Sequence, residues 1–232
     1  MVTIVAHRGA PLQARENTLE SFLAAVEAGA EMVELDVRRT RDNVLVTFHD
    51  PRLSRSLHAP LIKDLAYEEL LRRTARKKYR VPTVQEVFAA LAGRVMLDIE
   101  LKEPGYEADV LGLARACMAV DKFILTSFDP AIIAAVKTFD PGVTCGLILA
   151  GEEAFSRCGD TPAEVLAPDK KLFAAHRAFF ADLKKSGKRI AVWTVDGRAD
   201  LSALLVDPIV EAVITNHPGK ALALRNRLCN RT

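Results

Sequence analysis

Short apolar runs alternate with amphipathic stretches along most of this chain, and the alternation predicts strands and helices in turn. Residues 3–6 are a β-branched apolar run ended by His7-Arg8-Gly9, which reads as a strand and then a turn. Leu19, Phe22, Leu23 and Val26 recur at helical spacing. Asn17 or Thr18 caps that helix, Glu20 lies in its first turn and Gly29 stops it. Residues 32–37 form a second strand. Past the polar turn Arg41-Asp42-Asn43, residues 44–48 are strand-like and end at His49-Asp50-Pro51. Residues 51–82 break the rhythm and read as an excursion with one helix near 67–73. Regularity then returns: a helix at 84–91 capped by Thr83, a strand at 94–101, a helix at 107–119 and a strand at 123–126. Ser127-Phe128-Asp129-Pro130 leads to a helix at 131–138, and strands follow at 143–149 and, more briefly, 165–167. The rest reads as a helix at 173–185 stopping at Gly187, a strand at 190–195, a helix at 201–205, a strand at 212–215 and a helix at 220–228.

Strands alternating with helices about eight times predict a parallel sheet closed on itself. The expected fold is α/β, a (β/α)8 TIM barrel occupying 1–232 as one domain, with a small cap at 51–82 as an insertion after the second strand. In such a barrel function sits at the carboxyl ends of the strands. Those ends carry His7-Arg8, Glu34 and Asp36, His49, Glu100 and Lys102, Ser127, Trp193 and Asn216-His217. Unusual polar residues thus gather at one mouth.

Their chemistry sharpens the picture. A strand sends Glu34 and Asp36 to one face and Val33, Leu35 and Val37 to the other. Paired carboxylates repel each other and, if buried, require a positive partner. Asp98, Glu100 and Lys102 repeat the same period. Glu34, Asp36 and Glu100 make an all-oxygen ligand set suited to Mg²⁺ or Ca²⁺ rather than zinc. Two plainer readings share these residues: an ion-pair network completed by Arg8 and Lys102, or a solvated acidic strand face. His7 and His49 fall at the ends of neighbouring predicted strands. With an unperturbed pKa of ~6.5, one imidazole can be neutral while the other is charged. A base and an acid flanking a cation are what displacement at phosphorus requires, and Arg8 and Lys102 would then hold the phosphate.

Composition narrows the class. The chain has 232 residues, half of them hydrophobic, and a net charge of +2. No basic stripe with aromatics stands out, so no nucleic-acid partner is expected. The run from Arg72 through Arg80 reads as a solvated helix end. Cys117, Cys145, Cys158 and Cys229 are widely spaced, which suits free thiols in a reducing compartment. The first apolar run is too short for a signal peptide, and no stretch is long and charge-free enough to span a bilayer. A cytoplasmic location without stable membrane insertion is expected; monomer and homodimer both remain open.

His7-Arg8-Gly9, Glu16-Asn17-Thr18, Glu34-Leu35-Asp36-Val37 and His49-Asp50, in this order and spacing, resemble the glycerophosphodiester phosphodiesterase family. Val81-Pro82-Thr83, Leu97 through Lys102, Ser127-Phe128-Asp129-Pro130 and Val192-Trp193-Thr194-Val195 extend the resemblance over essentially the whole chain. The resemblance implies a TIM barrel that hydrolyses small-molecule glycerophosphodiesters to sn-glycerol 3-phosphate and an alcohol, with one divalent cation as cofactor. By position, Glu34, Asp36 and Glu100 match the metal ligands, His7 and His49 the acid–base pair, and Arg8 and Lys102 the phosphate contacts. Glu16, Asn17 and Trp193 match residues bordering the substrate. The glycerol hydroxyl next to phosphorus would serve as an internal nucleophile. A lysophospholipase D, or a phosphodiesterase for longer headgroups, and a barrel that only binds a phosphorylated ligand are the other readings. Two departures stand out. The excursion reads Ser56-Leu57-His58-Ala59-Pro60 in place of a Thr-rich turn, and Asn216 stands where the family has an Asp, a change expected to remove a hydrogen bond.

Overall fold

The computed structural model describes residues 1–155, 158 and 161–229. Its strands are β1 (Thr3–Ala6), β2 (Met32–Arg39), β3 (Leu45–Thr47), β4 (Met96–Leu101), β5 (Phe123–Ser127), β6 (Cys145–Leu149), β7 (Val165–Pro168), β8 (Arg189–Val192) and β9 (Val210–Thr215). All but β3 run parallel in the hydrogen-bonded order β1-β9-β8-β7-β6-β5-β4-β2, and β1 pairs back to β2 to close the ring. This is the (β/α)8 barrel that the alternation predicts. Helix α1 (Leu19–Glu27) follows β1, while α2 (Tyr67–Ala75) and α3 (Val84–Leu91) fall between β3 and β4. Later connections carry α4 (Glu107–Cys117), α5 (Pro130–Phe139), α6 (Gly151–Phe155), α7 (Lys170–Ala175), α8 (Arg177–Lys185), α9 (Arg198–Leu204) and α10 (Pro218–Cys229).

The period of two decides what faces where. Val33, Leu35 and Val37 point outward into one continuous core with Phe22, Phe88 and Leu91 from the surrounding helices. Each such buried side chain stabilises the fold by about 1.5–3 kcal/mol. The opposite face lines the barrel lumen. Its lower half is plugged by Val5, Met32, Val165, Ala167, Ala191 and Ile214. A barrel this narrow fills with side chains, so an apolar floor leaves polar residues room only at the upper mouth.

Four details depart from the sequence expectation. The strand-like 44–48 shortens to β3, which pairs antiparallel with β2, bridges to Thr83 through Val46, and stands outside the ring. His49 therefore reaches the mouth through a β2–β3 hairpin, and it does not end a strand adjacent to β1. The excursion contains a 3-10 turn at Ile62–Asp64 before α2. It has its own small core of Phe48, Leu53, Ile62, Leu65, Leu70 and Val81, which explains why it lacked a barrel period. The helix expected at 173–185 starts earlier, because Asp169 caps it by accepting from the Lys171 and Leu172 amides. It then breaks at His176, whose φ of −120° is not helical. Finally, α6 was not foreseen, being too short to carry a period.

Candidate active site

Strands β2 and β4 are in register so that Glu34 faces Asp98 and Asp36 faces Glu100. Carboxylate oxygens of Glu34, Asp36 and Glu100 lie within 4.8 Å of one another, and all three residues are buried. Asp98 belongs one layer deeper, where its carboxyl accepts from Thr126 Oγ1 at 2.6 Å.

Two cations interleave with these acids. The Arg8 amide donates to Glu34 Oε2 at 2.7 Å, its Nε lies 3.3 Å from Asp36 Oδ2, and Nη1 reaches Glu16 at 3.2 Å. Lys102 Nζ sits 3.2 Å from Asp36 Oδ1 and also contacts Glu100. With two positive and three negative groups, the five side chains carry a formal charge of −1. Two residues of this region hold left-handed backbone: Arg8 at φ +56° and Asn17 at φ +57°. Such conformations persist only where surrounding contacts over-determine them. For Asn17 those contacts are with Asp36, whose amide donates to Asn17 Oδ1 at 3.1 Å and whose Oδ2 accepts from Nδ2 at 2.7 Å. Both ends of the Asn17 amide are thus spent on holding Asp36, and Asn17 is buried.

The two imidazoles have different anchors. His7 Nδ1 is 2.9 Å from Asn216 Oδ1. Asn216 Nδ2 donates to Asp196 Oδ2 at 2.7 Å and its backbone amide to Asp196 Oδ1 at 2.8 Å. With its NH₂ committed, Asn216 can only accept from His7, which places the ring proton on Nδ1 and leaves the Nε2 lone pair free. His49 Nδ1 is 2.7 Å from Asp50 Oδ1. The His49 carbonyl accepts from Arg38 Nε and Nη2 at 2.9 and 2.6 Å, and Arg38 is tied in turn to Glu103. Asn216, far from removing a hydrogen bond as expected, supplies the one that orients His7.

Burial and charge set the titration of this cluster. Burial, reinforced by Asp36, holds the Glu34 carboxyl well above its usual range and pushes Glu100 up to about 8. Burial likewise lifts Asp98 to about 7. Burial opposes ionisation of Asp36 too, but Lys102 and Arg8 outweigh it and hold this carboxyl at about 2. Both histidines are lowered, mainly by burial, with Arg8 also acting on His7 and Lys102 on His49. Both shifts favour the neutral imidazole, so neither ring is set apart as the charged one.

Glu34 Oε1 is buried without a hydrogen-bond partner, and Asp36 Oδ1 meets the Lys102 ammonium at 3.2 Å. A buried unpartnered oxygen among three clustered carboxylates, in an all-oxygen donor set, fits a hard cation such as Mg²⁺ or Ca²⁺. The cavity above the cluster, about 110 Å³, is also walled by His7, Lys102, Phe128 and Trp193. Trp193 is fixed by Nε1 donating to the Ala167 carbonyl at 2.8 Å and packs edge-on against Phe128, with ring centroids 5.5 Å apart. Every site residue expected from sequence thus lies at this mouth. Arg38, Asp50, Asp196 and Asn216 were missed as functional. A signal existed for Arg38, which continues the period-two row of Glu34 and Asp36. None existed for Asp196, whose partner is twenty residues away.

No helix among the described residues is long and apolar enough to cross a membrane. The model of the glycerophosphoryl diester phosphodiesterase family matches residues 7–220. A glycerophosphodiester phosphodiesterase of Caldanaerobacter subterraneus subsp. tengcongensis is 28% identical over 93% of this chain and 94% of its own length. The crystal structure of the Thermotoga maritima glycerophosphodiester phosphodiesterase superposes with a TM-score of 0.83 at 28% identity, covering 97% of this chain and 98% of that one. An Oleispira antarctica phosphodiesterase solved with the product sn-glycerol-3-phosphate shares the fold, with a TM-score of 0.84 at 24% identity and coverage of 97% and 96%. A family match spanning nearly the whole barrel, together with carboxylates, cations and imidazoles converging at its mouth, identifies this chain as a member of the glycerophosphoryl diester phosphodiesterase family.

Proposed function

We propose that this protein hydrolyses glycerophosphodiesters to sn-glycerol 3-phosphate and an alcohol, using His7 as base and His49 as acid. The observation that carries the reading is the pair of imidazoles on either side of three clustered carboxylates, in a chain of this family. Glu34, Asp36 and Glu100 would hold one divalent cation, which supplies charge stabilisation to the phosphoryl oxygens. Arg8 and Lys102, now compensating those carboxylates, become available to the substrate phosphate once the acids have another counter-charge. His7, neutral and with Nε2 free, takes the proton of the attacking hydroxyl. That hydroxyl is the substrate's own when a glycerol oxygen adjoins phosphorus, and water then opens the cyclic phosphate. His49 returns a proton to the departing alkoxide. Burial lowers its pKa, while Asp36 and Asp50 pull it upward and the incoming phosphate anion adds to that pull. Asn17 serves by orienting Asp36, and Glu16 by steadying Arg8.

The test is release of glycerol 3-phosphate from a small glycerophosphodiester, with and without EDTA, followed by addition of Mg²⁺, Ca²⁺ or Mn²⁺. Activity should vanish with chelator and return with an oxygen-loving divalent ion. His49→Ala should lower kcat by about 10²–10⁴ in a folded protein. Undiminished turnover in EDTA would refute the cation site, and undiminished turnover of the variant would refute the acid.

A further inference from the structure

A phosphodiester has two sides, and the cavity over the carboxylates accounts for one. Beyond His49 opens a second cavity of about 230 Å³, between the Arg15–Thr18 turn and the insertion. His49 is the one described residue that lines both. An acid that protonates a leaving oxygen must lie within hydrogen-bond reach of it, on the side from which the alcohol departs. An alcohol leaving past His49 therefore enters this second cavity.

Its wall has a definite character. Of its two acids, Glu16 is engaged with Arg8 and Asp50 with His49. Arg55 and Lys77, on the insertion side, have no carboxylate partner among the described residues; Lys77 Nζ reaches only the Leu53 carbonyl, at 3.5 Å. The third cation, Arg15, lies over the Tyr79 ring at 3.8 Å. A quaternary ammonium is recognised by open aromatic faces or by carboxylates. Here the Tyr79 face is already covered, and Phe48 is committed to the insertion's core. Hydroxyl-rich groups fare better. Arg55 and Lys77 can donate to the several oxygens of a neutral polyol, whereas a trimethylammonium group offers them no acceptor.

We propose that this cavity is the leaving-group subsite and that it favours neutral polyol alcohols over quaternary ammonium alcohols. The proposal rests on the phosphodiesterase reading above. The selection comes from repulsion by Arg15, Arg55 and Lys77, all solvent-accessible, so it is modest and salt-sensitive.

The experiment compares kcat/KM for glycerophosphoinositol and glycerophosphocholine, by glycerol 3-phosphate release, in the wild-type protein and in the double variant Arg55→Glu, Lys77→Glu. Both positions are exposed, and matching thermal unfolding curves will verify that the variant is folded. The wild type should prefer inositol by about five- to tenfold at low salt, shrinking near physiological salt. The double variant should lose or invert that preference. A wild-type preference for choline, or a ratio that the charge reversal leaves unmoved, would overturn the subsite while glycerol 3-phosphate release still upholds the reaction. Release from neither substrate would overturn the reaction itself, and the subsite with it.

Discussion

Asn216 is the residue whose chemistry depends most on its neighbour. Asp196 accepts three hydrogen bonds, from Thr215 Oγ1 at 3.1 Å and from the backbone and side chain of Asn216. An aspartate at 216 would set two carboxylates at the distance of the present amide contact. Asn216→Asp and Asp196→Asn should therefore each lower stability by about 1–3 kcal/mol and impair kcat. The exchange of both should recover most of the loss, because it restores one donor and one acceptor. Thermal unfolding and kcat measured over this four-member cycle give the coupling, and strictly additive losses would contradict it. If the exchanged protein turns over, its carboxylate at 216 raises the His7 pKa. The acid limb of its pH–rate profile should then lie at higher pH, since the base must be neutral to act.

At the scale of elements, the turn after β1 is the tightest joint. Gly9 has φ +87°, and a Cβ there would come within 2.5 Å of Ser21 Oγ and 2.6 Å of the Ser21 backbone carbon. Helix α1 could not stay docked against that turn, which also sets Arg8. Gly9→Ala should cost about 2–4 kcal/mol in chemical denaturation. Gly93 also has a positive φ, of +75°, but nothing lies within 4 Å of its added Cβ. Gly93→Ala should cost only the backbone term, about 1 kcal/mol. Equal losses in the two variants would show that packing against α1 is not what demands Gly9. The β2–β3 hairpin is the other decisive element. By running two residues past the barrel rim and returning, it brings Arg38 and His49 together, which a strand of expected length could not do.

Across the whole molecule, the raised carboxyls make stability depend on pH and on cations. Glu34, Asp98 and Glu100 have folded-state pKa values above their ordinary ones, with Asp98 near 7 and Glu100 near 8. The folded state therefore binds more protons than the unfolded one, and this contribution to stability is lost as pH rises towards 8. The lowered His7 and His49 act in the opposite sense, an effect that fades above ~6.5, where unfolded histidine is half deprotonated, and is outweighed by the three carboxyls. Between about pH 6.5 and 8, the chelated protein should lose thermal stability. A divalent ion at ~100-fold its Kd should restore about 2–3 kcal/mol, roughly 5–10 °C, with the larger gain at higher pH. Differential scanning calorimetry across this range decides it, and a pH-independent response would argue against the carboxylate cluster as the binding site.

The barrel itself was legible in the sequence because strand and helix periods are local properties, and eight repeats of them leave few topologies. The carboxylate row was legible for the same reason: a period of two places Glu34 with Asp36, and Glu100 with Lys102, whatever the partner strand. Three-dimensional structure alone determined the rest. Register between β2 and β4 brought the two rows level. The hairpin delivered His49, and the insertion closed a second cavity around it through a core that follows no period. The Asp196–Asn216–His7 chain joins loops 209 residues apart at its widest link. Such a link leaves no local pattern, because a hydrogen bond depends on where two groups meet in space and not on how many residues separate them.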